Sequence, residues 1–566
     1  MLPDTNFKYK KFYRIFISFF VILFNSVLVF SNLLDSEYFS FTYKRSTADI
    51  FSMLSLGNDV QNLLPVLFKD YWYVLVTFII FIFCFVYVYF KAIHSLFLQH
   101  YVEKTYRIKL LQSIISIFIL ALLFIIYRGV GLKPVTINTA SQYTDNRNIP
   151  LLINTPFSLM FTFEKDELPV LKYSSDSIVE HYTQPIKFYR DSLPFDNKNV
   201  IVLILESFSQ EYIGAYSGKT SYTPFFDSLI SVSYAPKFAF ANGKKSIEAM
   251  PAVVAGIPTL MDNPYLSSQY ATNRINSLAN ILREMGYYTA FYHGGNNGTM
   301  GFDYFAYISG FQHYKGKNEY PNPADYDGQW GVWDEPYLQY FCKELTNIKQ
   351  PFFTCLFTLS SHHPYLLPEQ YKDRFSEGKL PIHKTIRYSD FALKRFFESA
   401  KKSDWYKNTL FVLVADHTAQ SENVTGSNLI GTYEIPIVYF SPSDSSFNQL
   451  NRNIITQQID ILPSVLDYLN YEKPFFALGN SVFSKCENRF AISYMNAAYQ
   501  MITPKYVYGF EGQKFMYQYD WRIDKRFNNN LILNSTDHKD TTEMTQLKYL
   551  LQTYTTRVKN NRLVAE

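Results

Sequence analysis

Three apolar runs near the N-terminus constrain this chain more than any other feature. They are Ile15–Leu34, Tyr71–Phe90 and Leu110–Tyr127, and each is long enough to cross a hydrocarbon core of about 30 Å as a helix. The loop between the second and third runs contains one acidic residue, Glu103, against four basic ones, Lys91, Lys104, Arg107 and Lys109. Because basic loops stay in the cytoplasm, we expect the N-terminus on the cytoplasmic side of the membrane and the chain beyond residue 128 on the opposite side.

The number of crossings depends on a fourth stretch, Ile50–Phe68. Its apolar residues are interrupted by Asn58, Asp59, Gln61 and Asn62, which predicts an interfacial or packed amphipathic segment rather than a span. If this stretch crossed the membrane, another crossing would be needed to keep the C-terminal region outside, and three spans would become five. The first run lacks a small-residue cleavage site, so we expect a retained span rather than a signal peptide.

Length, charge and cysteine content exclude some classes of protein. With 566 residues, the chain is too long for one core and should contain several domains. The formal charge of +4 is small and the basic residues are scattered, which argues against nucleic-acid binding. Four cysteines do not form a disulfide framework, although a bridge between Cys342 and Cys486 remains open.

Beyond the transmembrane helical region of residues 1–130, the sequence predicts an α/β fold. Residues 131–197 are polar with several prolines, typical of a connector. In residues 198–488, apolar runs of strand length alternate with helical stretches, which predicts a mostly parallel sheet. Residues 489–566 read as a small antiparallel sheet plus a polar helix at about Thr541–Val558. The predicted strands are Val200–Leu205, Tyr287–Tyr292, Phe352–Leu359, Leu410–Val414 and Ile435–Phe440, and the helices between or after them include Ile275–Met285 and Ile455–Leu469.

Acidic side chains follow two of the predicted strands. Glu206 comes after the first, and Asp416 with His417 comes after the fourth. Because ligands bind beyond the carboxyl ends of parallel strands, we expect these side chains to meet in one crevice. Carboxylates with one imidazole suit Mn²⁺, Mg²⁺ or Zn²⁺, and such an ion lowers the pKa of a coordinated hydroxyl. Ser246, before a predicted helix, offers that hydroxyl, although a serine there is also an ordinary helix cap.

A set of motifs strengthens this interpretation. NVIVLILES, GKKSIEAMPAV, YHGGNNGTMGFD, LSSHHPY and LVADH occur in this order between about Asn199 and Leu469. Together they resemble the lipoteichoic acid synthase-like phosphoglycerol transferases, a membrane branch of the sulfatase/alkaline phosphatase superfamily. The resemblance implies a sulfatase-like α/β/α catalytic domain with one metal ion, typically Mn²⁺, held by Glu206, Ser246, Asp416 and His417. It implies that Ser246 is the nucleophile and that His293 and His362 hold the substrate phosphate or assist proton transfer.

The chain departs from that family at one place. The synthases carry a Trp-x-Arg pair that grips glycerol phosphate after the first of these histidines, where this chain has Met300-Gly301-Phe302-Asp303. Without the arginine a bidentate grip on phosphate is lost, so we expect Asn296, Asn297 and Asp303 to bind the headgroup. Ser246 also lacks the C/S-x-P-x-R context that matures sulfatases.

The expected function is headgroup transfer at a bacterial cytoplasmic membrane. Ser246 would cleave a phosphatidylglycerol-like phosphodiester through a phosphoserine-type intermediate and pass glycerol phosphate to a glycan or lipid acceptor. Phosphoethanolamine transfer and sulfatase-like hydrolysis are alternatives within the superfamily, although the first usually occurs in disulfide-rich domains. A catalytically inactive membrane scaffold is the alternative from another class.

Overall fold

The computed structural model describes residues 10–42, 45, 46, 48, 50, 68–98, 105–128, 154–163, 168–189, 193–218, 221–533 and 541–565. The chain divides into two compact units, one of Met1–Thr47 and Pro65–Phe163 and the other of Ala48–Leu64 and Glu164–Glu566. Residues 51–67 of the predicted interfacial stretch lie outside the described residues. The predicted domain boundaries remain predictions.

The first unit is helical. Its helices are α1 (Lys11–Thr42), α2 (Trp72–Leu98), α3 (Tyr106–Arg128) and α4 (Thr155–Thr162). Within the described ranges, α1, α2 and α3 are long and apolar enough to cross a membrane, judged by length and composition. Large apolar side chains on these helices are exposed, for example Phe83 at 72%, as expected for helices that face lipid.

The second unit contains the sheets and the remaining helices. Its strands are β1 (Ile186–Lys187), β2 (Asn199–Leu205), β3 (Phe238–Phe240), β4 (Tyr288–His293), β5 (His313–Lys315), β6 (Phe352–Phe357), β7 (Thr409–Ala415), β8 (Ile437–Phe440), β9 (Ile455–Gln457), β10 (Phe475–Phe476), β11 (Ala491–Met495), β12 (Ala498–Ile502), β13 (Tyr506–Glu511) and β14 (Lys514–Asp520). Its helices are α5 (Asp176–Thr183), α6 (Gly214–Ser217), α7 (Pro224–Ser231), α8 (Ser246–Ala255), α9 (Leu278–Glu284), α10 (Phe302–Ile308), α11 (Asp334–Thr346), α12 (Ile382–Ala400), α13 (Ile461–Tyr468) and α14 (Thr542–Lys559).

A six-stranded sheet forms the centre of this unit, in the order β5-β4-β6-β2-β7-β8. The strands from β5 to β7 are parallel, and β8 pairs antiparallel to β7 at one edge. Every residue of β2, β6 and β7 is buried, which explains why these strands appear in the sequence as continuous apolar runs. The α/β fold with a mostly parallel sheet is therefore confirmed, with β8 as its antiparallel edge.

The prediction of one helix over Ile455–Leu469 was wrong at its start. Residues Ile455–Gln457 form β9, which pairs in parallel with β3. The turn into α13 follows at Asp460, whose Oδ2 accepts hydrogen bonds from the Thr456 hydroxyl and the Gln457 N–H, both at 3.1 Å. A polar turn therefore separates the strand from the helix, where apolar spacing alone suggested continuity.

The C-terminal part has the predicted form. Strands β11 to β14 make a four-stranded antiparallel sheet in sequence order, and α14 follows them. Two elements from the predicted connector pack on the second unit: β1 pairs with β10, which precedes the C-terminal sheet, and α5 packs on α14. Cys342 and Cys486 are both free thiols, so the bridge left open between them is absent.

Candidate active site

The central sheet brings its functional side chains to one edge. Leu205 is opposite Ala415, and Ile204 is opposite Phe357. Because these strands are parallel and end in register, the residues that follow them emerge together. Glu206 follows β2 and Asp416 follows β7, as the sequence predicted.

Ser246 reaches the same point from a helix start. It is the first residue of α8, and its hydroxyl lies 3.2 Å from Glu206 Oε2 and 3.3 Å from His417 Nε2. The ordinary capping role belongs instead to Glu248, whose Oε2 accepts the N–H groups of Lys244 and Lys245 at 2.7 and 3.1 Å. The Ser246 hydroxyl is therefore directed at the acidic cluster and does not cap its own helix.

Glu206, Asp416 and His417 form a cluster that could hold a metal ion. Each offers a ligand atom, and these atoms lie within 4.8 Å of one another. His417 Nδ1 lies 2.8 Å from the Thr418 carbonyl oxygen, which can only accept a hydrogen bond, so Nδ1 carries the proton. Nε2 therefore presents a lone pair 3.3 Å from Asp416 Oδ2 and 3.9 Å from Glu206 Oε1.

The electrostatics of the cluster fit a bound cation. Glu206 and Asp416 are 2% and 1% exposed. Burial, and then the charge of Asp416, raise the pKa of Glu206 well above its usual value. Asp416 Oδ2 is buried and has no hydrogen-bond partner among the described residues. Two buried carboxylates and an imidazole lone pair repel one another unless positive charge lies between them, and this donor set suits a hard or borderline divalent ion.

Several supporting residues were not identified from the sequence. Ser207 has a positive φ of 60°, and its hydroxyl donates to Glu206 Oε1 at 2.7 Å. A non-glycine residue in this region stores backbone strain, which is common at functional sites. The Thr358 hydroxyl accepts the Glu206 N–H at 2.9 Å. Residue type and spacing carry no signal for such contacts, since they depend on how distant loops meet.

Lys244 connects the loop before Ser246 to the loop after His417 by hydrogen bonds. Its ammonium group donates to the Thr418 hydroxyl at 2.7 Å and to the Thr432 carbonyl at 2.6 Å, and the residue is 6% exposed. Burial lowers the pKa of Lys244 to about 7. Thr418 in turn accepts the imidazole proton of His417, so Lys244 connects the loop before Ser246 to the loop after His417.

His362 is the second histidine that the sequence assigns to the substrate phosphate. Its Nδ1 lies 3.1 Å from the His363 carbonyl oxygen, which leaves Nε2 as the unprotonated nitrogen. Burial lowers the pKa of His362 to about 4, with smaller effects from His363, His417 and Asp416. These interactions indicate that the neutral ring lies near the metal-ligand candidates. The ring of Trp330 packs against it at a tilt of 49°, with centroids 3.8 Å apart.

His293 occupies a different environment. It ends β4, opposite Phe357 of β6, and its ring packs against Phe302 and Phe357 with centroid distances of 5.2 and 5.7 Å. It is 1% exposed, and burial lowers its pKa to about 3. His293 is therefore a neutral histidine in an aromatic pocket, and its predicted contact with substrate remains a prediction.

The three predicted headgroup residues have different surroundings. Asn297 is already paired, since its Nδ2 donates to both oxygens of Glu319, in the segment after β5, at 3.2 and 3.1 Å. Asp303 lies in the first turn of α10, where its Oδ1 accepts the N–H of Tyr304 at 2.8 Å. Asn296 has a buried Nδ2 with no hydrogen-bond partner among the described residues. Asn296 thus remains available to a ligand.

Comparisons with known proteins identify a matching family and similar proteins. A sequence model of the Sulfatase family matches residues 198–471. The chain is 24% identical over 360 residues to "Lipoteichoic acid synthase-like YvgJ" of Bacillus subtilis (strain 168), covering 59% of this chain and 58% of that protein. It is 25% identical over 386 residues to "Lipoteichoic acid synthase" of Staphylococcus aureus (strain USA300), covering 61% of this chain and 56% of the relative. The chain thus spans less than two thirds of the length of these relatives.

Solved structures share the fold. An alkaline phosphatase superfamily protein from Vibrio parahaemolyticus superimposes with a TM-score of 0.58 at 21% identity, covering 70% of this chain and 99% of that one. The lipoteichoic acid synthase LtaP from Listeria monocytogenes superimposes with a TM-score of 0.53 at 17% identity, covering 68% and 97%. The sulfatase match over residues 198–471, the synthase relatives and this fold support the identification of the chain as a lipoteichoic acid synthase-like member of the alkaline phosphatase/sulfatase superfamily.

Proposed function

We propose that this protein is a membrane-bound, metal-dependent phosphoglycerol transferase. The observation that carries the proposal is the Ser246 hydroxyl, which lies within 3.3 Å of both Glu206 and His417 instead of capping its helix. An inactive scaffold has no need to keep two buried carboxylates together, because their mutual repulsion costs stability.

The proposed metal ligands are Glu206, Ser246, Asp416 and His417. When bound, a divalent ion, Mn²⁺ in most of the family, would neutralise the carboxylates and lower the pKa of the serine hydroxyl. The protein contributes orientation: the Thr418 carbonyl fixes the tautomer of His417, and the Ser207 hydroxyl holds one oxygen of Glu206. Such hydrogen bonds to the ligand residues determine which of their lone pairs face the ion.

The proposed reaction has two steps. In the first, Ser246 Oγ bonds to the phosphorus of a phosphatidylglycerol-like lipid, the bond from phosphorus to the diacylglycerol oxygen breaks, and the serine proton is balanced by the proton that diacylglycerol gains. In the second, a hydroxyl of a glycan or lipid acceptor replaces Ser246 on phosphorus and gives up its proton. Ser246 regains a proton as it leaves, which balances the one lost by the acceptor, and His362 with its unprotonated Nε2 can accept a hydrogen bond from the attacking hydroxyl.

The apolar helices support a membrane substrate. A protein integral to the bacterial cytoplasmic membrane is held in the same bilayer as its phospholipid substrate. The basic loop between the second and third apolar runs supports an extracytoplasmic location for the catalytic unit.

Replacing the nucleophile tests the proposal. Ser246→Ala in the full-length protein should reduce release of diacylglycerol from radiolabelled phosphatidylglycerol by about a thousandfold or more, since covalent catalysis is lost. Ser228→Ala, which changes an exposed serine on α7, should retain full turnover.

The same assay separates the alternatives. Labelled phosphatidylethanolamine as the better substrate would identify a phosphoethanolamine transferase, and cleavage of an aryl sulfate would identify a sulfatase-like hydrolase. Turnover by the Ser246→Ala variant at the wild-type rate would refute the nucleophile. A wild-type protein that neither binds Mn²⁺ nor turns over any of these substrates would be a scaffold.

A further inference from the structure

Two loops of the second unit join at a backbone bridge. Gly295, just after β4, and Gly331, just before α11, form an isolated antiparallel bridge. A Cβ atom on Gly331 would lie 2.4 Å from the Gly294 carbonyl oxygen, a distance that no side chain tolerates. The contact therefore requires glycine, and it brings the residues after Gly295 close to those before Gly331.

One of these loops is a rigid turn. Asp327 Oδ1 accepts the N–H groups of Gln329, Trp330 and Gly331 at 2.7, 2.9 and 3.0 Å. Three hydrogen bonds to one oxygen fix the backbone of this turn. The backbone position of Gln329 is thus fixed by the protein before any ligand arrives.

Two amide side chains on these loops lack partners. Neither the Asn296 amide nor the Gln329 amide makes a hydrogen bond within the part of the chain that the structure describes, and Asn296 Nδ2 and Gln329 Oε1 are buried. A buried polar group without a partner costs about 1–3 kcal/mol. Both side chains are partly exposed, so a ligand can approach them and supply the missing hydrogen bonds.

Gln329 lies next to a residue that contacts His362. The ring of Trp330 packs against the ring of His362 with centroids 3.8 Å apart, and Trp330 Nε1 donates to the His363 carbonyl oxygen at 2.6 Å. Because the proposed function brings His362 to the reacting phosphorus, a headgroup bound there would have Trp330 and the adjacent Gln329 as neighbours.

We propose that Asn296 and Gln329 form a headgroup subsite that selects a phosphodiester whose headgroup bears hydroxyls and no charged amine; this inference rests on the proposed function. A hydroxyl both donates and accepts, so polyol hydroxyls can pair with Asn296 Nδ2 and Gln329 Oε1 together. An ammonium group only donates, which would leave Nδ2 unpaired, and two neutral amides do not offset the cost of removing its charge from water. In this proposal, the two amides bind the headgroup in place of the arginine that the synthases use and this chain lacks.

The test uses near-isosteric variants of the full-length protein in detergent. Asn296→Leu and Gln329→Met remove the hydrogen-bonding groups while keeping the volume. Phosphatidylglycerol reports headgroup binding, and bis(4-nitrophenyl) phosphate, which has no hydroxyl, reports the chemistry alone. Each variant should lower kcat/KM for phosphatidylglycerol about tenfold, as expected for one lost hydrogen bond to a buried group, and should change turnover of the aryl diester less than about twofold. Asn453→Leu, at an exposed amide before β9, is the matched control.

The outcomes separate the two proposals. Equal phosphatidylglycerol turnover by wild type and both variants would overturn the subsite and leave the proposed function intact. An equal loss on both substrates would also overturn it, because it would show a structural role. A wild-type enzyme that cleaves the aryl diester through Ser246 but does not prefer phosphatidylglycerol to phosphatidylethanolamine would overturn the polyol assignment. Inactivity of the wild type on every diester would overturn the proposed function itself.

Discussion

Gly243 controls how Ser246 is presented. A Cβ atom at this position would lie 2.5 Å from Glu248 Oε2, the oxygen that caps the start of α8. We therefore expect Gly243→Ala to displace Glu248, shift the first turn of the helix and move Ser246 away from Glu206. Because a misplacement of about 1 Å costs about a hundredfold in rate, turnover of phosphatidylglycerol should fall by that factor.

The control for this variant is Gly218→Ala. There an added Cβ meets no atom within 4 Å, although φ is +64°, so only modest backbone strain is introduced. Steady-state kinetics and thermal unfolding of both variants give the comparison. Full activity of Gly243→Ala would show that the Glu248 cap does not position the nucleophile.

At the scale of single residues, the sequence predicted which side chains could bind a metal better than it predicted which side chains contact one another. Glu206, Asp416 and His417 were identifiable because they directly follow buried strands, and the structure groups them. Local sequence favoured a capping role for Ser246, since capping and nucleophilic serines look alike before a helix. The positive φ of Ser207 and the unpaired amide of Gln329 were not predictable, because both depend on loops distant in sequence.

At the scale of elements, the start of α7 contains a pH-dependent contact. Asp390 of α12 accepts the N–H groups of Phe225 and Phe226 at 3.0 and 2.8 Å, and burial raises its pKa to about 7. An unfolded aspartate titrates near pH 3.9. The folded state therefore holds a proton that the unfolded state loses between about pH 4 and 7, so the free energy of unfolding falls across that window by up to about 4 kcal/mol.

Asp390→Asn should remove this dependence. The variant keeps an acceptor oxygen but cannot ionise, so its unfolding temperature should change less between pH 5 and pH 8 than that of the wild type. Tryptophan fluorescence follows the transition, since Trp330, Trp333, Trp405 and Trp521 all lie in the second unit. The same pH profile in both proteins would show that Asp390 does not titrate in this range.

Strands were predictable where both faces of the sheet are buried, and less predictable at the edge of the sheet. The strands β2, β6 and β7 were identified from continuous apolar runs because both faces are covered. The direction of β8 had no signal in its sequence, since parallel and antiparallel edge strands share the same residues. The strand β9 is three residues long. This is too short for the spacing of its apolar residues to distinguish it from the helix that follows.

At the scale of the whole molecule, the candidate site joins parts of the chain that are far apart. Ser246 is 40 residues from Glu206 and 171 from His417, and each lies on a different element. A cation bound by these residues would therefore hold the central sheet and α8 together in the folded state. Unfolding would separate the ligands and release the ion, which links metal affinity to the stability of the entire second unit.

This linkage predicts a stabilisation that does not depend on turnover. Adding Mn²⁺ at a hundred times its dissociation constant should raise the free energy of unfolding by about 2.7 kcal/mol, measured by thermal unfolding of chelator-treated protein. Asp416→Asn should abolish most of this increase, because it removes a ligand charge, and it should also raise the stability without metal by relieving repulsion with Glu206. Asp373→Asn, at an exposed aspartate, should respond to Mn²⁺ as the wild type does. If the wild type gained nothing from Mn²⁺, Mg²⁺ or Zn²⁺, the acidic cluster would not be a metal site, since an ion that binds only the folded state must stabilise it.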